Sequence, residues 1–150
     1  MSLAIEARAY GPDCTPEERD ALRNRVTLIE SDVVLFFEVP VPSPYQLDIA
    51  WGRIGELTNH LPRFFLVVDL SVASRPKPEV RTHLKNLILT RRQPAYTAIA
   101  TEANFVLNVA ARFVFASTGL RNFSIHRHRA DAIAAIARAR LATPKASDGG

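Results

Sequence analysis

Four consecutive stretches of sequence decide the fold: FFLVVDLS (64–71), RPKPEVRTHLKNLIL (75–89), AYTAIATEANFVLNVAARFVFASTGL (95–120) and RNFSIHRHRADAIAAI (121–136). In these stretches, short runs of β-branched and aromatic residues alternate with longer amphipathic runs. An apolar run such as FFLVVDL suits a strand that is buried on both faces, in a sheet that crossover helices cover. The alternation therefore predicts an α/β domain built from successive strand–helix units.

A β-hairpin is expected before these units. Residues 25–30 and 33–39 are rich in β-branched and aromatic side chains, and Ser31-Asp32 between them suits a tight turn. Prolines follow the second run, and proline cannot donate a hydrogen bond into a strand ladder. Residues 1–24 form a polar lead-in in which EERDALR predicts a short helix.

The helix after the hairpin has a clear start. Ser43 precedes Pro44 and Gln46, which predicts a capped helix with a capping box and proline in its first turn. Gly52 and Gly55 lie inside this helix and weaken it by about 1 kcal/mol each relative to alanine. We expect close packing of the two glycines against the sheet to compensate for this loss.

The remaining elements follow the same alternation. Pro78 opens a helix, and Arg91-Arg92 at its end are expected to complement the helix dipole. The other predicted elements are a strand at 96–100, a helix at 102–117 capped by Thr101, a strand at 122–126, and a helix at about 129–141.

Length and composition indicate one domain. The chain has 150 residues and a formal net charge of +4, with its basic residues spread along the sequence. A nucleic-acid-binding domain would more often show a dense basic stripe with interleaved aromatics, so we expect no nucleic-acid partner. No signal peptide or membrane-spanning stretch is visible, which predicts a cytoplasmic protein. We divide the chain into a lead-in (1–24), the domain (25–142) and a disordered tail (143–150).

Cysteine chemistry is restricted by the number of cysteines. Cys14 is the single cysteine of the chain, so no internal disulfide and no cysteine-based zinc site can form. It lies in a loop bounded by prolines, and we expect an inert surface thiol.

Two stretches resemble the STAS family, which includes bacterial anti-sigma-factor antagonists and cytoplasmic domains of sulphate transporters. One is the strand ending in Val68-Asp69-Leu70-Ser71, which leads through a loop into a helix. The other is Phe115-Ala116-Ser117-Thr118-Gly119-Leu120, followed by a strand and a helix containing Ala132. The resemblance is closest to a divergent stand-alone bacterial group that has been compared with lipid-binding CRAL-TRIO domains. It implies a STAS-like α/β fold, with a central mixed sheet, an N-terminal hairpin and about four helices.

The sequence departs from the STAS pattern at the regulatory loop. Kinase-switched antagonists carry an Asp-Ser-Ser/Thr-Gly motif there, and residues 71–79 read SVASRPKPE instead. Ser74 and Ser71 are the hydroxyls within reach and so the candidate phosphoacceptors. A phosphate on Ser74 would be favoured by the free amides of a helix N-terminus. The alternative is that Ser74 merely caps the loop or the helix.

Basic and histidine residues cluster at 126–129. His126 and His128 would point the same way in an extended segment and so suit a metal, but no third ligand is near and the flanking Arg127 and Arg129 would repel a cation. An anion or an acidic partner fits these four residues better, and a solvated turn is the simplest alternative. No catalytic motif is recognised, so we expect neither an enzyme nor a cofactor.

The helix predicted at 102–117 is apolar on more than one face. Its surplus apolar surface includes Phe105, Val109 and Phe113, and it requires a homodimer interface, an apolar ligand pocket or a membrane surface to cover it. Homodimers are the most common solution.

Two functions remain open. The first is a regulatory protein-interaction module that binds a protein partner, homodimerises, and uses Arg75, Lys77 and Arg81 together with the 102–117 helix. The second is a carrier or sensor of a lipid or other apolar molecule, with a pocket beside that helix.

Overall fold

A computed structural model describes residues 4–102, 115–117, 120 and 122–142 of the chain. Residues 143–150, for which the sequence predicts disorder, lie outside this part. The strands are β1 (Val26–Glu30), β2 (Val33–Phe37), β3 (Phe65–Asp69), β4 (Tyr96–Ala100) and β5 (Phe123–His126). The helices of eight or more residues within the described part are α1 (Pro16–Arg23), α2 (Pro44–Thr58), α3 (Pro78–Thr90) and α4 (Arg129–Ala142).

The five strands form one mixed sheet in the order β1-β2-β3-β4-β5. β1 and β2 pair antiparallel as a hairpin, and β2, β3, β4 and β5 are parallel neighbours. Parallel neighbours need crossover connections, and helices α2 and α3 supply those between β2, β3 and β4. The predicted α/β class, with a hairpin followed by strand–helix units, is confirmed.

The predicted start of α2 is also confirmed. Ser43 accepts a hydrogen bond from the Gln46 backbone amide, and the Gln46 side chain accepts one from the Ser43 amide. α1 begins with the same device, in which Thr15 and Glu18 form a capping box. These caps satisfy amides that have no partner within their helices.

The expected role of the α2 glycines is wrong. A Cβ added at Gly52 or Gly55 would meet no atom within 4 Å, and both positions are exposed. The stripe that packs on the sheet runs through Leu47, Ala50 and Ile54, which lie on the opposite side of the helix. The two glycines therefore weaken α2, and contacts with the described residues do not compensate for this loss.

Two apolar layers cover the sheet. Alternate strand residues face opposite sides, so Phe36, Leu66 and Ile99 pack beneath α2 and α3. Phe65 and Ala98 point to the other side and pack against α4. A helix layer on each face is the arrangement that the strongly apolar central strands require.

The lead-in packs onto the domain. Tyr10, Cys14 and Leu22 form a buried cluster with Val39, the second residue after β2. Cys14 is 8% exposed, and its Sγ lies 3.8 Å from the Tyr45 hydroxyl. The expectation of a surface thiol is therefore wrong, because this loop is folded under α2.

Arg92 acts on a different helix from the one expected. Its guanidinium donates to the carbonyls of Thr58 (3.0 Å) and Leu61 (2.6 Å) at the end of α2, while the last turn of α3 itself contains no basic residue. Arg92 thereby satisfies free carbonyls and complements the dipole of α2. None of the helices in the described ranges has the length and apolar character needed to cross a bilayer.

Candidate functional site

An apolar groove lies between the sheet and helices α2 and α3. Its volume is about 80 Å³, and it extends from Ser74, in the loop after β3, to Arg91, after α3. Sheet residues form its floor, and Phe115 and Leu120 contribute to its wall. The lining side chains from the two helices are Leu47, Trp51, Ile54, Val80, Leu84 and Ile88. We call this feature the α2–α3 groove.

Among the described residues that line the groove, Glu38 is the one that carries a carboxyl group. Glu38 is 6% exposed, and its Oε1 accepts from the Val39 amide (2.8 Å) and from the Gln46 side chain (2.7 Å). Its Oε2 makes no hydrogen bond to the part of the chain that the structure describes. Burial raises the pKa of Glu38 to about 7, against the opposing effects of these two hydrogen bonds and of the positive charge of Arg25. Glu38 thus titrates near neutral pH.

The hydroxyl of Thr97 is another polar group of the groove. Thr97 is 1% exposed, and its Oγ1 has no hydrogen-bond partner within the described ranges. A buried hydroxyl without a partner is uncommon in native proteins, because its desolvation is not repaid. The groove therefore presents two incompletely satisfied polar groups within apolar walls.

Neither group was predicted from the sequence, although a signal for one of them was present. Glu38 follows Val34 and Phe36 at strand spacing, so the alternation that buries those residues also places Glu38 on the same face. Thr97 precedes Ile99 in β4 by the same spacing. A threonine in a strand usually finds a partner, so no sequence signal marks its unpaired hydroxyl.

The structure brings Ser74 to the groove but gives it a structural bond. Its hydroxyl and its amide both contact the Pro40 carbonyl, at 2.7 and 2.8 Å. The N-cap of α3 is Lys77, which makes no capping hydrogen bond through its side chain. Ser74 therefore ties the loop to the segment after β2 and does not cap the helix. The Ser71 amide donates to Asp69 (2.8 Å) in the turn after β3.

The three cations proposed for partner binding lie together on this loop and on α3. Arg75 and Lys77 are exposed, and neither forms an ion pair with the residues the structure describes. Arg81 is half-buried, and it donates weakly to the Pro76 carbonyl at 3.4 Å. Arg75 and Lys77 thus make the loop beside this end of the groove positively charged.

The two histidines of the 126–129 cluster do not converge. His126 contacts the Ser124 hydroxyl at 2.6 Å, while His128 lies 3.3 Å from Glu102. Burial lowers the pKa of His126, and the positive charge of Arg138 lowers it further. Among the described residues, no group of three or more His, Cys, Asp or Glu side chains is arranged to hold a metal ion.

Arg129 is held by a buried carboxylate. Its Nε donates to Asp69 at 2.7 Å, and the Asp69 side chain is 5% exposed. Burial acts to raise the pKa of Asp69, but hydrogen bonds from Ser71 and Arg129, with the charge of Arg129, outweigh burial and lower the pKa. Arg127 is exposed and forms no ion pair with the described residues, so it is the member of the cluster best placed to contact an anion.

A more open depression of about 420 Å³ lies on the opposite face of the sheet. It is lined by Arg25, Phe37 and Arg129, and the two guanidinium groups lie 3.9 and 5.1 Å from the centre of the Phe37 ring. Arg25 also donates to the carbonyls of Phe37 and Glu38. These contacts hold the arginines in structural roles.

The structure describes residues 102 and 115–117 of the segment predicted to be an apolar helix. Phe105, Val109 and Phe113 lie outside the described residues. Residues 115–117 are helical, and Phe115 is 7% exposed and faces the groove.

The fold and the groove together define a mixed α/β domain with an apolar site between its sheet and two crossover helices. No family model, curated protein or solved structure matches the chain. The site itself therefore provides the basis for a functional proposal.

Proposed function

We propose that the protein is a non-catalytic, STAS-like carrier or sensor that holds a small apolar molecule in the α2–α3 groove. The observation that carries this proposal is the largely apolar space between sheet and helices, which two buried polar side chains also line. They are Glu38, whose carboxyl group accepts its two hydrogen bonds through Oε1, and Thr97, whose hydroxyl has no partner among the described residues. Ligand sites commonly combine apolar walls with a few polar groups that orient the ligand. Ser74, in the loop after β3, donates its hydroxyl hydrogen bond to a backbone carbonyl rather than to a base, which argues against nucleophilic catalysis.

The size of the groove limits the size of its ligand. Its volume of about 80 Å³ suits a short aliphatic chain rather than a whole lipid, and such a chain would pack against the apolar side chains of the sheet and the two helices.

The single tryptophan of the chain provides the assay. Trp51 lines the groove, so ligand binding is expected to shift its fluorescence. We expect native mass spectrometry of protein purified from its own host to show a bound small molecule, and denaturation to release it. Val80→Phe fills the groove and should abolish binding, whereas Leu89→Phe, at an exposed position of the same helix, should not. Equal binding by the two variants would refute the proposal.

A second candidate function is regulation through protein contact at the 71–79 loop. It is supported by the exposed cations Arg75 and Lys77, which form no ion pair with the described residues and suit an acidic partner surface. Affinity capture from the host should recover partners that the double variant Arg75→Glu/Lys77→Glu loses and the control Lys85→Glu retains. Recovery of the same partners by all three proteins would exclude this surface.

A cytoplasmic location and a homodimer remain part of the proposal. The dimer rests on the apolar character of the 102–117 segment, and sedimentation of wild type and Phe113→Asp tests it. A monomer at all concentrations would remove the dimer and leave the groove proposal intact.

A further inference from the structure

The hydrogen bonds of the Glu38 carboxyl group indicate which chemical class of ligand suits the groove. Glu38 Oε1 already accepts two hydrogen bonds, from Val39 and Gln46. A proton on this carboxyl group therefore sits on Oε2, which has no partner among the described residues. In its protonated form Glu38 offers one O–H donor to an occupant of the groove.

The surroundings favour the protonated form when the groove is filled. The charged group that acts on Glu38 is Arg25, which donates to the Glu38 carbonyl from the β1 side. On α2 the contacting residue is neutral Gln46, and on β3 the carboxylate of Asp69 is paired with Arg129 beneath the other face of the sheet. An apolar occupant would remove remaining water from Oε2, and desolvation disfavours the ionised form.

Positive charge at the groove disfavours a cationic ligand while Glu38 is protonated. Arg91 and Arg92 line the groove, and Arg75 and Lys77 are exposed on the loop that contributes to the lining, so an amine approaching neutral Glu38 meets like charges. A neutral oxygen acceptor meets no such penalty.

The hydroxyl of Thr97, which lacks a partner among the described residues, lies at the other end of the groove. Thr97 pairs in register with Leu66, and Glu38 lies one residue beyond the pairing of Phe37 with Asp69. Four residues of strand rise and two strand spacings separate them by about 16 Å. One short ligand therefore contacts Glu38 or Thr97, not both.

We propose that the ligand of the α2–α3 groove is a short, neutral aliphatic molecule bearing an oxygen acceptor, which receives a hydrogen bond from protonated Glu38. This inference rests on the proposed function and adds the class of ligand. Binding is coupled to protonation, so it weakens as the pH rises.

The experiment compares three probes of one chain length: 2-hexanone, hexylamine and n-hexane. Trp51 fluorescence measures the dissociation constant of each probe at pH 6 and pH 8. Because the pKa of Glu38 is about 7, the protonated fraction, and with it the apparent affinity for 2-hexanone, falls about tenfold over this range. We expect 2-hexanone to bind more tightly than either other probe at pH 6, and Glu38→Gln to bind it equally at both values.

The outcomes separate the two proposals. Binding of n-hexane as tight as that of 2-hexanone, a preference for hexylamine, or a pH dependence that Glu38→Gln retains would overturn the ligand class and leave an apolar site. Failure of every probe to bind would overturn the site and the ligand class together. If Glu38→Gln does not fold, ¹³C NMR of the wild-type Glu38 carboxyl group decides: saturating 2-hexanone must raise its pKa, and an unchanged or lowered pKa refutes the inference.

Discussion

Replacing Glu38 by glutamine is expected to remove a pH dependence of stability. The pKa of Glu38 is about 7 in the folded protein, against 4.5 for an unperturbed glutamate. Because the folded state holds the proton more tightly, the stabilising contribution is fully present below pH 4.5 and is lost as the pH rises through 7. The amide of glutamine keeps an oxygen that accepts from Val39 and Gln46 and carries no charge at any pH.

The magnitude follows from these two pKa values. They differ by about 2.5 pH units, and each unit corresponds to about 1.4 kcal/mol, so the full loss is about 3–4 kcal/mol. Most of this stabilisation, about 2–3 kcal/mol, is lost between pH 5 and pH 8. The free energy of unfolding of Glu38→Gln relative to wild type should therefore increase by this amount over that range.

Urea unfolding at pH 5, 6, 7 and 8, followed by Trp51 fluorescence and far-UV circular dichroism, measures this difference. Glu79→Gln, at an exposed position in the first turn of α3, is the matched control and should keep a constant offset from wild type. If the Glu38→Gln offset were also constant with pH, the carboxyl group would not be protonated in the folded protein and the reasoning would fail.

Three further predictions concern stability and use the same urea assay. Gly52→Ala and Gly55→Ala should each raise the free energy of unfolding by up to about 1 kcal/mol, because both sites are open and helical. Thr97→Val should raise it by about 1 kcal/mol, since it removes a buried hydroxyl without a partner in the described ranges. Arg129→Ala should lower it by about 1–3 kcal/mol at pH 7, because it leaves the buried carboxylate of Asp69 without its ion pair. This last loss should shrink as the pH falls and Asp69 becomes protonated.

Each of these predictions has its contrary result. Destabilisation by either alanine would mean that the glycine serves a contact or a backbone conformation that the structure does not contain. A lower free energy of unfolding for Thr97→Val than for wild type would mean that the hydroxyl has a partner. A loss on Arg129→Ala that is constant down to pH 2 would show that the side chain acts through packing, not through its charge on Asp69.

Local signals explain which parts of the fold the sequence predicted well. The capping box at Ser43 and the apolar runs of β3 and β4 depend on residues close in sequence, and the structure contains these elements at the expected positions. The errors concern long-range contacts. Which side of α2 meets the sheet decides the exposure of Gly52, and the folding of the lead-in beneath α2 decides the burial of Cys14.

The candidate site was less predictable for the same reason. A pocket beside the 102–117 segment was one of the open alternatives, and Phe115 does line the groove. No role was predicted for Glu38, because a carboxyl group at the end of a strand is ordinarily solvated. Its environment arises from Gln46 on α2, Arg25 at the start of β1 and the walls of the groove, which are brought together only by folding.

The sequence by itself determined the order of the elements, their caps and the two-sided burial of the central strands, because each depends on hydrophobic period and on neighbouring side chains. The tertiary structure alone decided that α2 and α3 leave a groove above the sheet, and that the carboxyl group of Glu38 and the hydroxyl group of Thr97 line it. The physical reason is that the volume between packed layers, and the solvation of a group within it, depend on side chains distant in sequence.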